Sequence, residues 1–142
     1  MPTSTLEQSV LDLMQAIGLL VRRTRNESYA GELSMTEAVV MSRLANDGPA
    51  TTAALARAER MKPQSMGTTI TSLEGMGIVR RTPHATDGRQ MLIELTEKGI
   101  LLRNKTREAK QMWLSQAIAE LDGEERDTLF KAAGIIKRLA GK

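Results

Sequence analysis

Apolar residues recur at spacings of three and four near the start of the chain. Leu6, Val10, Leu13, Met14, Ile17, Leu20 and Val21 thereby share one side of a helix. Ser4 and Glu7 stand ahead of that stripe in the spacing of a capping box, and Arg22, Arg23 and Arg25 close it with charge that suits a helix C-terminus. After a break at Gly31, Ser34 and Glu37 repeat the capping box and open a helix carrying Val39, Val40, Met41 and Leu44, which stops near Asp47-Gly48-Pro49. Thr51 or Thr52 caps a short, alanine-rich helix through Arg60. Pro63 opens the next helix at a position where its missing amide is no loss, and Gly77 suits that helix's C-terminal cap.

The period then changes. Ile78 to Thr96 reads as a β-hairpin, with Met91, Ile93 and Leu95 alternating against Gln90 and Glu94 and a turn signal at Asp87-Gly88. Thr96 is the next N-cap. A long helix follows with Leu101, Leu102, Ala109, Met112, Trp113, Ile118 and Leu121, and Asp122 with Glu125 opens a last one carrying Leu129, Phe130, Ala133, Ile136 and Leu139. The expected fold is mainly α, about six helices with a small β-hairpin after the fourth. A helix pair followed by a basic ribbon is the order of a winged helix-turn-helix. One domain over 1–142 is expected, with that module at 34–96 between terminal dimerisation helices at 1–32 and 97–142. Such stripes also mark ordinary intrachain core, so the dimer rests on layout: the first helix has little to pack on within one subunit.

A composition of 41% hydrophobic and 26% charged residues is that of an ordinary globular domain. The longest apolar run, Ala16–Val21, falls far short of the roughly 18 residues of a membrane span. No signal peptide is apparent, and the lack of cysteine excludes disulfides and thiolate metal sites and leaves the cytoplasm as the default setting. The net charge of +3 is mild. Its distribution is more telling: between positions 57 and 89, Arg57, Arg60, Lys62, Arg80, Arg81 and Arg89 oppose only Glu59, Glu74 and Asp87, as phosphate neutralisation would need, although a solvated charged face would look the same.

From Pro63 to Met76 the inward positions are Met66, Ile70, Leu73 and Met76, leaving Gln64, Thr68 and Thr71 opposite, flanked by Ser65, Gly67 and Ser72. That small, neutral surface can lie in a groove, where Gln pairs with adenine and Ser or Thr reach base edges or phosphates. A mid-helix glycine is less favourable than Ala by roughly 1 kcal/mol, which suits a close approach at Gly67. At the ribbon tip, Asp87 can restrain Arg89, whose guanidinium would reach phosphates or a narrow minor groove.

The string Leu73-Glu-Gly-Met-Gly-Ile-Val-Arg-Arg81, followed by Asp87-Gly-Arg89 and Leu95-Thr-Glu-Lys-Gly99, resembles the MarR family of regulators, named for multiple antibiotic resistance. The resemblance in helix order covers nearly the whole chain, and the specific motifs cover about Leu44 to Gly99. It implies a homodimer, joined by the first and last two helices, binding double-stranded DNA at a pseudo-palindromic operator. Gln64, Ser65, Gly67 and Thr68 would read bases, while Asp87 and Arg89 form the wing motif. The family often has basic residues where this chain has Thr68 and Ser72, which shifts the expected grip toward Arg57, Lys62, Arg80 and Arg89.

The resemblance further implies a repressor released by a small aromatic or phenolic ligand between the dimer helices and the module. Met14, Arg22, Tyr29, Met41 and Trp113 are candidate lining residues, with core filling the competing role for each Met and aromatic. No cofactor is expected, and the lone His84 has no second His or Cys for a metal. Nor does an enzyme fit: there is no phosphate-binding glycine loop and no Gly-x-Ser-x-Gly elbow. The alternative is a winged helix that contacts protein and not DNA.

Overall fold

The computed structural model describes residues 4–28, 32–84 and 86–142. Along the chain it contains α1 (Thr5–Asn26), α2 (Met35–Asp47), β1 (Ala50–Thr51), α3 (Thr52–Ala58), α4 (Pro63–Gly75), β2 (Val79–Pro83), β3 (Met91–Leu95), α5 (Glu97–Ala119) and α6 (Gly123–Ala140). All three capping boxes form: at the starts of α1, α2 and α6, Ser4, Ser34 and Asp122 each exchange hydrogen bonds with Glu7, Glu37 and Glu125. The Thr51 and Thr96 hydroxyls cap α3 and α5 by accepting the Ala54 and Gly99 amides.

The expected two-stranded ribbon is a three-stranded antiparallel sheet of order β1-β3-β2. Ala50 and Thr51, directly ahead of α3, pair with Ile93 and Leu92 and cover an edge of the hairpin that would otherwise be open. In the hairpin Val79 faces Leu95, Arg80 faces Glu94, and Pro83 faces Met91. Only Ile93 of the three alternating apolar residues is fully buried; Leu95 is half-buried and Met91, at the tip end of its strand, is exposed.

The helix expected to run through Arg60 ends at Ala58. Arg60 adopts a left-handed backbone with φ of 54°. Its amide donates to the Arg57 carbonyl at 3.2 Å and the Met61 amide to Ala56 at 2.8 Å, the double closure of a Schellman motif without the usual glycine. The same closure ends α4 at Gly77, where φ is 75°. There the Gly77 and Ile78 amides reach the Glu74 and Leu73 carbonyls at 2.9 and 3.0 Å.

The core lies inside the module. Val40, Met41 and Leu44 of α2, Leu55 and Ala56 of α3, and Met66, Ile70 and Leu73 of α4 pack with Ile78, Val79 and Ile93. Each fully buried side chain of this size contributes about 1.5–3 kcal/mol, so the small domain is held mainly here. By contrast α1 and α6 have no buried residue. The whole α1 stripe, from Leu6 at 74% exposure to Val21 at 53%, is uncovered within the single chain, as are Leu129, Phe130, Ile136 and Leu139 of α6. Among the described residues, the C-terminal end of α1 is secured by the Arg23 guanidinium, 5.1 Å from the centre of the Trp113 ring, and by Arg25 Nη2, which donates to the Leu33 carbonyl at 3.1 Å. Among the described residues no helix is long and apolar enough to cross a membrane.

Candidate nucleic-acid interface

The α4 helix starts at Pro63 and buries Met66, Ile70 and Leu73 against the core, which leaves Gln64, Ser65, Thr68, Thr71 and Ser72 exposed. Period 3.6 requires this division once the apolar positions are fixed. The hydroxyls of Thr68, Thr69 and Thr71 donate to carbonyls one turn back, on Gln64, Ser65 and Gly67. A Cβ built on Gly67 would meet nothing within 4 Å, so packing within the chain does not call for glycine there.

Ser72 has a partner that local spacing could not show. Its hydroxyl donates to the Glu37 carboxylate at 2.7 Å, across 35 positions of sequence. Partial burial alone would raise the Glu37 pKa, but hydrogen bonds from the Ser34 amide and the Ser72 and Ser34 hydroxyls outweigh it and hold the carboxyl below its ordinary value. Glu37 therefore both caps α2 and fastens α2 to α4.

The basic residues divide into held and unheld groups. Glu94, which lies outside the window of charges counted along the sequence, takes Arg80 across the strand pair at 2.7 Å. Arg81 Nε lies 3.3 Å from Glu74, and its Nη2 donates to the Thr71 hydroxyl at 3.3 Å. Strand alternation sends neighbours to opposite faces, so these two arginines had to find different partners; that signal was present in the sequence. Arg57 and Lys62 are exposed, and among the described residues neither forms a salt bridge.

The wing tip is a turn closed by the Gln90 amide on the Asp87 carbonyl at 3.0 Å, with Gly88 and Arg89 at its centre. Asp87 Oδ1 accepts the Arg89 amide at 3.1 Å and lies 3.5 Å from Arg89 Nε, while the Arg89 side chain is 94% exposed. Sequence reasoning gave His84 no role beyond its unsuitability for metal. Its Nδ1 accepts the Thr86 and Asp87 amides, each at 3.2 Å, and so helps to shape the tip. The Leu95–Gly99 string serves the wing's root: the Thr96 hydroxyl accepts the Gly99 amide and donates to the Gly77 carbonyl, and Lys98 Nζ donates to Met76 at 2.8 Å.

The candidate ligand residues lie on different elements, Met14 and Arg22 on α1, Met41 on α2 and Trp113 on α5. Met14 and Arg22 are exposed on α1, and it is Arg23 that stands over Trp113. Met41 is a correction: it is 1% exposed because the inner face of α2 packs onto α4 and the sheet, so it fills the core. Tyr29 lies outside the described residues. A separate cleft of about 350 Å³ opens where α2, β3 and α5 meet, lined by Leu44, Pro49, Leu95 and Ile100 with Glu94 and Arg103 at its polar margin.

Residues 33–91 match the model of the MarR family. The chain is 40% identical to the HTH-type transcriptional regulator MT0903.1 of Mycobacterium tuberculosis, with 90% of each chain covered. A Pseudomonas aeruginosa PA01 protein described as a candidate transcriptional regulator is 31% identical, superposes with a TM-score of 0.86, and covers 98% of each chain. The fold is shared as well by a point mutant of S. aureus MepR, solved bound to an oligodeoxyribonucleotide, at 18% identity and a TM-score of 0.70 over 94% of this chain and 96% of that one. The chain therefore belongs to the MarR family of helix-turn-helix transcriptional regulators, a family of DNA-binding proteins and not of enzymes.

Proposed function

We propose that the chain works as a homodimeric repressor, with α4 in the major groove of a pseudo-palindromic operator and Arg89 in the adjacent minor groove. The observation that carries this reading is the pairing of a neutral, exposed α4 face with a wing arginine that is held by Asp87 yet open to solvent. Gln64, Ser65, Gly67 and Thr68 supply the base-facing surface, while Arg57, Lys62 and Arg89 supply phosphate and minor-groove contacts. Arg80 contributes less than its sequence position suggests, because Glu94 already offsets its charge. That a MepR mutant of the same fold was solved bound to an oligodeoxyribonucleotide supports DNA as the partner.

The outward stripes on α1 and α6 support the dimer, since a soluble chain rarely leaves contiguous apolar faces of this length uncovered. For release by a small aromatic or phenolic effector, the cleft beside Glu94 and Arg103 is the better candidate, because its apolar walls and polar margin suit such a ligand.

Binding to random and operator-selected duplexes across a salt series tests the central reading. Log–log slopes near −0.9 per phosphate contact are expected, with tighter binding to the selected sequence. A flat response would sink DNA binding and leave the protein-contact alternative. Repression is tested separately by transcription from a promoter carrying the selected operator; activation on adding the protein would overturn it.

A further inference from the structure

Adjacent arginines on β2 face different tasks. Arg81 is 32% exposed, and both ends of its guanidinium are engaged on α4, Nε with Glu74 and Nη2 with Thr71, each at 3.3 Å. Glu74 is the penultimate residue of α4, where a carboxylate opposes the helix dipole, and that helix has no basic residue in its own last turn. Arg81 therefore supplies from the neighbouring strand the positive charge that the helix end lacks. Its planar fork also meets two residues one turn apart, a geometry that a lysine cannot reproduce. A short turn separates the end of α4 from β2; its base is fixed by the Gly77 closure, by the buried Ile78, whose carbonyl accepts the Thr96 amide, and by the Thr96 and Lys98 contacts, while Arg81 ties the strand beyond the turn back to the outer side of α4.

We infer that Arg81 is a positioning residue, which sets the angle between α4 and the wing so that both reach the duplex together, and that it is not itself a phosphate contact. This inference rests on the DNA-binding reading above. It separates two roles that the adjacent Arg80 and Arg81 leave merged in the sequence, because a clamp and a phosphate contact respond differently to salt.

The test uses the full chain and a duplex selected from a random pool by the wild-type protein. Affinity is followed by fluorescence anisotropy across a salt series for Arg81→Met, Arg81→Lys, Arg89→Ala and the charge-swapped pair Arg81→Glu with Glu74→Arg. Arg81→Met should weaken binding roughly ten-fold, the scale of one lost interaction, with the salt slope unchanged. In Arg89→Ala the slope should shrink by about 0.9. Arg81→Lys should recover part of the affinity and the swapped pair most of it. Hydroxyl-radical footprints of Arg81→Met should lose the wing's protection while keeping that of α4. Circular-dichroism melts should stay cooperative with at most a small fall in midpoint for the Arg81 variants, since none of these side chains belongs to the core. A slope in Arg81→Met that shrinks as in Arg89→Ala, with no recovery in the swapped pair, would overturn the inference in favour of direct phosphate contact; unchanged affinity would overturn it as well. Loss of all salt-dependent binding by the wild type would instead remove the DNA reading itself.

Discussion

The Ile78 carbonyl oxygen occupies the space that a Cβ on Gly99 would need. The first turn of α5 therefore lies directly against the end of α4 and the start of β2, with Leu95 Cδ2 closing the other side at 3.2 Å from the same point. Gly99 is required by this contact and not by its own backbone angle. The glycine of the Leu-Thr-x-x-Gly string thus keeps the long helix pressed on the root of the wing.

Gly99→Ala should accordingly destabilise the fold. Backbone atoms yield less readily than a flexible side chain, so the overpacking should amount to about 1–3 kcal/mol. Urea unfolding followed by circular dichroism should show a lower midpoint at an unchanged slope. A midpoint equal to that of the wild type would mean that the two elements separate easily, contrary to the packing described.

Gly67→Ala should do the reverse. Nothing within the chain stands within 4 Å of the added methyl, and replacing a mid-helix glycine should stabilise the fold by about 0.5–1 kcal/mol. If α4 lies flush against DNA, the same methyl should weaken binding to the selected duplex. Higher stability with undiminished affinity would show that Gly67 does not face the groove closely.

What was legible in the sequence was mostly local. Capping boxes, Pro63 and Gly77 act through groups close together in the chain, so their spacing alone located helix ends. The division of α4 into an apolar back and a polar front was readable for the same reason. Pairings between distant segments were not. β1 is two residues long and its strand character exists only through Ile93 and Leu92, while Ser72 reached Glu37 across 35 positions. The end of α3 was missed because Arg60 takes a conformation for which glycine is the usual signal. The outward orientation of the α1 stripe could not be read from periodicity, which identifies an apolar face without saying which chain covers it.

The Glu37 contact has a pH consequence. Its carboxyl is held below the ordinary value, so the folded state binds a proton less readily there than the unfolded chain does. The resulting stabilisation is complete above the ordinary value of about 4.5 and fades as the pH falls through the lowered folded value. Ser72→Ala removes one of the hydrogen bonds that favour the charged form. Thermal unfolding between neutral and acid pH should therefore lose less stability in Ser72→Ala than in the wild type. A steeper loss in the variant would contradict the assigned donor.

Phe130 offers the most direct test of how the α6 face is covered. It is 56% exposed, has no part in the module core, and lines an open cleft with Leu114 and Ile118 of α5. A carboxylate at this position would be harmless if α6 faced water. At an interface it would have to be buried without a partner, at a penalty of several kcal/mol. Wild-type protein is expected to run in size-exclusion chromatography with light scattering at twice the 15.6 kDa chain mass. Phe130→Asp should shift it toward the monomer at micromolar concentration, and should weaken binding to a two-half-site operator more than to a single half-site. The module's own packing does not involve this residue, so half-site binding measures whether the variant remains folded. A dimer that survives Phe130→Asp unchanged would place the contact between copies on some other surface.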